Sequence, residues 1–235
     1  MERKGEVFSD RCRIFGPMPM TPSGAKIVAV HTTPIAVRTP RPCITYEGAM
    51  ERLRFAVLDV ETTCGDPTEG RVMEVAVLAL DGSRERLRWD SLVRSNAPIP
   101  AFIRKLTGIT PSMLVDAPRF LDVVGTLETL TMDRIVVAHN VRFDMTALEH
   151  EFARTGLVFE RPTLCTERLA RQLLPTLPHY NLGSLCRYFG IEFRAAHRAA
   201  ADAEATAQLF SMLLNEFGEE RILAGVMARP KARRA

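Results

Sequence analysis

The segment Phe55-Ala-Val-Leu-Asp-Val-Glu61 limits the possible folds of this chain more than any other, because it is apolar on both sides of an extended backbone until its last residues. Strand side chains alternate in direction, so Phe55, Val57, Asp59 and Glu61 share one face while Ala56, Leu58 and Val60 share the other. A strand with two apolar faces needs cover on both, which makes it a central strand of an α/β fold. Asp59 and Glu61 then project together from its carboxyl end, a common place for chemistry in such folds.

Two further acids interrupt apolar patterns. After the short apolar run Arg134-Ile-Val-Val-Ala138, His139-Asn140 ends the extended stretch, and Asn140 is expected to cap a helix over about 141–155. On that helix Asp144 shares a stripe with Ala147, Leu148 and Phe152, so it faces the core. Asp202 repeats the anomaly on the stripe of Ala205, Thr206, Leu209, Phe210 and Leu213, in a helix from about 198 to 216.

A buried carboxylate is costly unless something cationic compensates it. Singly, each acid reads equally well as a cap, a solvated residue or half of a salt bridge. Four together are harder to place that way, and no Lys or Arg stands on the same short stripes, which points to a bound cation. All-oxygen ligation suits Mg²⁺ or Mn²⁺, and the His and Cys residues show no tight pairing suited to zinc.

The remaining pattern is orderly from Leu53 onward. Strands are expected near 54–61, 72–80 and 85–93, the last two joined by the turn signal Asp81-Gly82-Ser83. Helices near 101–107 and 117–130 follow, then strands at 134–138 and 162–165 around the helix at 141–155, and further helices near 166–174 and 181–189. Such an antiparallel meander followed by strand-helix alternation predicts a mixed α/β sheet of five strands with helices on both faces. The Ala-rich start of the last helix, Ala199 to Ala205, lets its backbone approach the sheet.

Asp59-Val-Glu-Thr-Thr63, His139-Asn-Val-Arg-Phe-Asp144 and His197-Arg-Ala-Ala-Ala-Asp202 resemble the three motifs of the DEDDh group of 3′-to-5′ exonucleases. That group contains the proofreading epsilon subunit of bacterial DNA polymerase III. Leu106-Thr-Gly-Ile-Thr110 and Tyr180-Asn-Leu-Gly-Ser-Leu185 extend the resemblance to about residues 54–216. It implies a ribonuclease H-like fold and hydrolysis of terminal phosphodiesters of DNA, releasing nucleoside 5′-monophosphates in proofreading or repair.

The resemblance also implies roles. Asp59, Glu61, Asp144 and Asp202 would hold two Mg²⁺ ions, with Mn²⁺ able to substitute, and Asp59 would bridge them. His197 would be the general base, since a histidine side chain accepts protons near neutral pH. Five residues at about 100° apiece would point His197 and Asp202 apart on one helix, so His197 is expected on the approach loop. Thr62 and Phe143 would meet the substrate's terminal sugar and base, although Phe143 reads equally well as core. His139 reads as structural. Cys64 stands where the family usually has Gly and is expected to stiffen the turn, with Gly65 restoring some freedom.

Charge is unevenly placed. Residues 1–50 carry seven Lys or Arg against four acids and residues 219–235 five against two, so each tail is +3 and the part between them is −3 in a chain of +3 overall. That core is no broad basic platform for nucleic acid, and metal ions must offset much of the repulsion between acids and phosphates. Residues 1–50, with Pro17, Pro19, Pro40 and Pro42, read as a loosely ordered extension holding at most a short strand near 26–37. The domain is expected over 51–218, with Met50 as an alternative translation start, and 219–235 as a basic tail. Arg229, Lys231, Arg233 and Arg234 read as a solvated end or as added affinity for nucleic acid.

No run of about 18 apolar residues occurs, so no membrane partner is expected. Five scattered cysteines and a charged N-terminus without signal-peptide character point to the cytoplasm. Gln172-Leu-Leu-Pro175 and Gln208-Leu-Phe210 faintly resemble sliding-clamp peptides but fall within expected packed helix, so association with a polymerase stays open. Two other readings stand beside the DNA exonuclease: a 3′-to-5′ exoribonuclease trimming RNA ends, and a non-catalytic module that binds nucleic acid or tethers a polymerase.

Overall fold

The computed structural model describes residues 53–193 and 196–227. The expected extension 1–50, its short strand near 26–37 and the basic residues 229–234 lie outside the described residues. Five strands form one mixed sheet in the order β3-β2-β1-β4-β5, from β1 (Arg54–Thr62), β2 (Val72–Asp81), β3 (Arg84–Leu92), β4 (Ile135–Ala138) and β5 (Thr163–Cys165). β1 pairs antiparallel with β2 and parallel with β4, and so is the central strand its two apolar faces require. Gly82, at φ 61°, makes the tight turn between β2 and β3.

Helices cover both faces, as expected. On one side Phe55, Val57, Ala76 and Leu78 pack against α7 (Ala199–Phe217), aided by α5 (Thr166–Leu173) and α6 (Leu182–Phe189). Phe55 and Phe210 meet there edge to face at 4.7 Å. Ala199, Ala203 and Ala205 are fully buried, so the small side chains do bring the helix close to the sheet. On the other side Ala56, Leu58, Val75 and Val77 meet α3 (Phe120–Thr131) and α4 (Val141–Arg154). A smaller cluster of Met73, Ile99, Ile103, Ile109 and Leu114 seats α1 (Ala101–Thr107) and α2 (Pro111–Leu114).

The two sheet edges are managed differently. β3 is an exposed edge carrying Arg84, Glu85, Arg86 and Arg88, charges that discourage pairing with another chain. β5 is only three residues long, and Met227 bridges to Thr163 beside it. After α7, α8 (Glu219–Leu223) anchors itself through the fully buried Ile222. Packed structure thus continues past 218, where charge alone marked the start of a tail, because one apolar side chain suffices to dock a short helix. Leu209 and Phe210 are buried in α7, so the clamp-like triplet there is core.

Candidate active site

β1 and β2 stay in register from Arg54 to Glu61, then shift between Glu61 and Thr62. Irregularities of this kind end strand pairing and re-aim side chains. Asp59 and Glu61 stand at this point on the face covered by α7, both partly exposed.

Asp144 reaches them from α4. β4 pairs with β1 only as far as Val57, which leaves the rest of that side of β1 without a strand neighbour. The Val60 N–H donates to Asp144 Oδ1 at 3.1 Å, so a side chain completes what the shorter strand cannot. Asp144 is 2% exposed and lies one residue's breadth from Asp59 and Glu61 along the backbone it grips. The turn that delivers it is Asn140, at φ 68° and ψ 49°, the left-handed region that Asn tolerates well. Asn140 occupies the expected cap position, but its side chain makes no capping bond; its backbone conformation is what the turn uses.

Asp202 and His197 come from the start of α7. His197 lies before the helix, exposed, as the helical angle requires. Its N–H donates to Asp202 Oδ2 at 3.2 Å, while Asp202 Oδ1 is buried with no hydrogen-bond partner. Glu61, His197 and Asp202 each offer one ligand atom, all within 4.8 Å of one another.

Crowding of carboxylates leaves a clear electrostatic signature. Burial first, then Asp144, Asp202, Glu61 and Glu74, holds the Asp59 carboxyl well above its usual range. Glu61 is pushed up to about 8 by burial, Asp202 and Glu74, with Arg198 pulling the other way. Burial raises Asp202 to about 6 against the hydrogen bond from His197, and it raises Asp144 despite the bond from Val60. These groups fit a divalent cation: ionising them together needs positive charge, and Asp202 presents an unpartnered buried oxygen to receive it.

Two site residues escaped the sequence reasoning. Glu74 on β2 stands across from Glu61 and is 2% exposed, and Arg198 makes a forked ion pair with it, Nη2 to Oε1 at 2.6 Å. Arg198 is near enough to pull the Glu61 carboxyl down, yet its fork is committed to Glu74 rather than to the cluster. A signal existed for Glu74: it interrupts the apolar run Val72-Met-Glu-Val-Ala-Val77 just as Asp59 interrupts its own.

The remaining predicted residues make contacts of their own. Thr62 is buried and its hydroxyl donates to the Cys64 carbonyl; Phe143 is partly buried against the α4 side of the sheet. His139 hydrogen-bonds Thr166 Oγ1 through Nδ1 at 2.9 Å, a structural contact between β4 and α5. Cys64 and Gly65 are both absent from the positive-φ residues of the described chain, so Cys64 causes no backbone strain and Gly65 has none to relieve. The close approach in this turn belongs to Gly70, where a Cβ would stand 3.1 Å from Asp66 O and 3.2 Å from Thr62 Cβ.

The model of a family described as Exonuclease matches residues 56–210. The chain belongs to the exonuclease family. Relatives of this exonuclease include DNA polymerase III subunit epsilon of Aquifex aeolicus, 36% identical over 163 residues that cover 69% of the chain and 81% of the relative. A DNA polymerase III PolC-type protein of Caldanaerobacter subterraneus subsp. tengcongensis is 32% identical over 165 residues, 70% of the chain. The exonuclease spans only 12% of that polymerase's length. Among solved structures, Exonuclease X in complex with 5′ overhanging duplex DNA superimposes with a TM-score of 0.58 and 25% identity, covering 72% of the chain and 96% of that structure. The enzyme thus has a ribonuclease H-like α/β fold with an acidic group able to hold metal at its sheet end. No helix among its described residues is long and apolar enough to cross a membrane.

Proposed function

We propose that this exonuclease works from the 3′ end of single-stranded or frayed DNA, releasing nucleoside 5′-monophosphates with two Mg²⁺ ions, which Mn²⁺ can replace. The observation that carries this reading is the gathering of Glu61, His197 and Asp202 within 4.8 Å, beside Asp59 and Asp144, with a buried Asp202 oxygen unpartnered. Asp59, Glu61, Asp144 and Asp202 would hold the metals, and paired ions of this kind activate water and offset charge on phosphate.

His197, exposed and outside the helix, accepts the proton of the attacking water. Asp202 fixes its backbone through Oδ2 and keeps Oδ1 for metal. Asp144, tied to Val60, holds its carboxylate in register with Asp59 and Glu61. The turn after Glu61, with Thr62, lies against the terminal sugar, and Phe143 supports the terminal base.

The names of the relatives support proofreading or repair and association with a polymerase. Free thiols at Cys64, Cys165 and Cys186 support a reducing cytoplasm.

The test is digestion of matched single-stranded DNA and RNA, each labelled at the 3′ or the 5′ end or blocked at the 3′ end, across a Mg²⁺ titration. Mononucleotides released first from 3′-labelled DNA, and nothing from blocked ends, are expected. Faster loss of RNA would make the enzyme an exoribonuclease, and no metal-dependent release at all would leave a binding module.

A further inference from the structure

Glu74 has no part in the chemistry just described, yet it is among the most completely satisfied charged groups near the site. Both its oxygens are taken by two consecutive residues at the start of α7. Arg198 Nη2 donates to Oε1 at 2.6 Å, Arg198 Nε lies 3.1 Å from Oε2, and the Ala199 N–H donates to Oε2 at 2.9 Å. A forked guanidinium-carboxylate contact of this kind fixes direction as well as distance.

The residue just before this grip is His197, whose φ of 65° places it in the left-handed region. That conformation is unfavourable for a non-glycine residue, so something must hold it. Asp202 Oδ2 holds the bend on one side through the His197 N–H. Glu74 holds it on the other, through residues 198 and 199. Placing Glu74 opposite Glu61 sets two like charges across neighbouring strands, which is unfavourable by itself. The grip on the histidine loop explains why an acid stands there.

We propose that Glu74, through Arg198, is a positioning residue that keeps the His197 backbone in its left-handed bend and so keeps the imidazole beside Glu61 and Asp202. The proposal rests on the reading of His197 as general base. Glu74→Gln replaces one carboxylate oxygen with an amide that would face a donor, loosening the bend without emptying the space.

The experiment measures kcat and KM on a 3′-labelled single-stranded DNA oligonucleotide with Mg²⁺ for Glu74→Gln, and for Arg198→Met should the first fold poorly. Each is made alone and combined with His197→Ala. Alone, the substitution is expected to lower kcat by about 10–100-fold, as lost supporting contacts do, with KM within about twofold. In the His197→Ala background it is expected to change kcat less than about twofold, because nothing remains to position. An undiminished loss in that background, or no loss in the single variant, overturns the proposal.

Should the parent enzyme release no nucleotides, the proposed function falls and amide hydrogen exchange at residues 196–202 judges the grip by itself. Faster exchange there in Glu74→Gln, with the rest of α7 unchanged, supports it; unchanged exchange overturns it.

Discussion

The Asp202 carboxylate is bonded through Oδ2 to the His197 N–H at 3.2 Å, and its other oxygen is buried without a partner. One side chain thereby links the shape of the histidine loop to the place where metal would bind. Asp202→Asn keeps an oxygen for the His197 N–H but removes the charge. It is expected to retain the fold and to abolish Mg²⁺-dependent hydrolysis, measured as nucleotide release beside a thermal melt. Parent-like release would remove Asp202 from the metal site.

His197→Ala should slow hydrolysis by about two to four orders of magnitude, the usual worth of a general base. The side chain is exposed, so the melting temperature should stay within about 1 °C of the parent. Single-turnover rates at saturating Mg²⁺ check this, and an unchanged rate would exclude the imidazole from the proton transfer.

The acids make stability depend on pH and metal. Burial, Asp202 and Glu74 raise Glu61 from 4.5 to about 8, so between those values the unfolded chain has released a proton that the folded, metal-free chain retains. With more protons bound in the folded state, stability falls as pH rises through that window. Calorimetry without metal should therefore show the parent losing stability relative to Glu61→Gln from about pH 5 to about pH 8. Added Mg²⁺ should close the gap at the upper end, where binding competes least with protons. A parent advantage that grows with pH in metal-free buffer would contradict the assignment.

Glu151 fastens the turn after β1 to α4. It is 2% exposed and accepts from Arg71 Nε at 2.6 Å, Arg71 Nη2 at 3.1 Å and the Val72 N–H at 3.1 Å. Glu151→Ala strands a buried N–H and a half-exposed guanidinium, and should cost about 2 kcal/mol. That corresponds to a fall of about 4–8 °C in melting temperature for a domain of this size. A shift below about 1 °C would mean that water replaces these contacts freely.

Much of the architecture was legible in the periodicity. β1 shows its central position in two apolar faces, and α4 and α7 show theirs in stripes that Asp144 and Asp202 interrupt. Short elements were harder to read: α2 and α8, of four and five residues, are too brief to show a helical period. Asn140 marks the start of α4 through its left-handed backbone and not through a capping bond, and a residue that tolerates that region looks like one that caps in sequence.

Local order along the chain thus determined the five strands, the faces of the main helices and the acids that interrupt them, because alternation and helical spacing dictate direction within one element. Which groups those acids meet was decided only by tertiary structure. Asp144 bonds Val60 because β4 stops short of β1's end, and Arg198 finds Glu74 across 124 residues because α7 begins over that strand. Strand register and helix placement set such meetings, and no spacing within either partner's own segment records them.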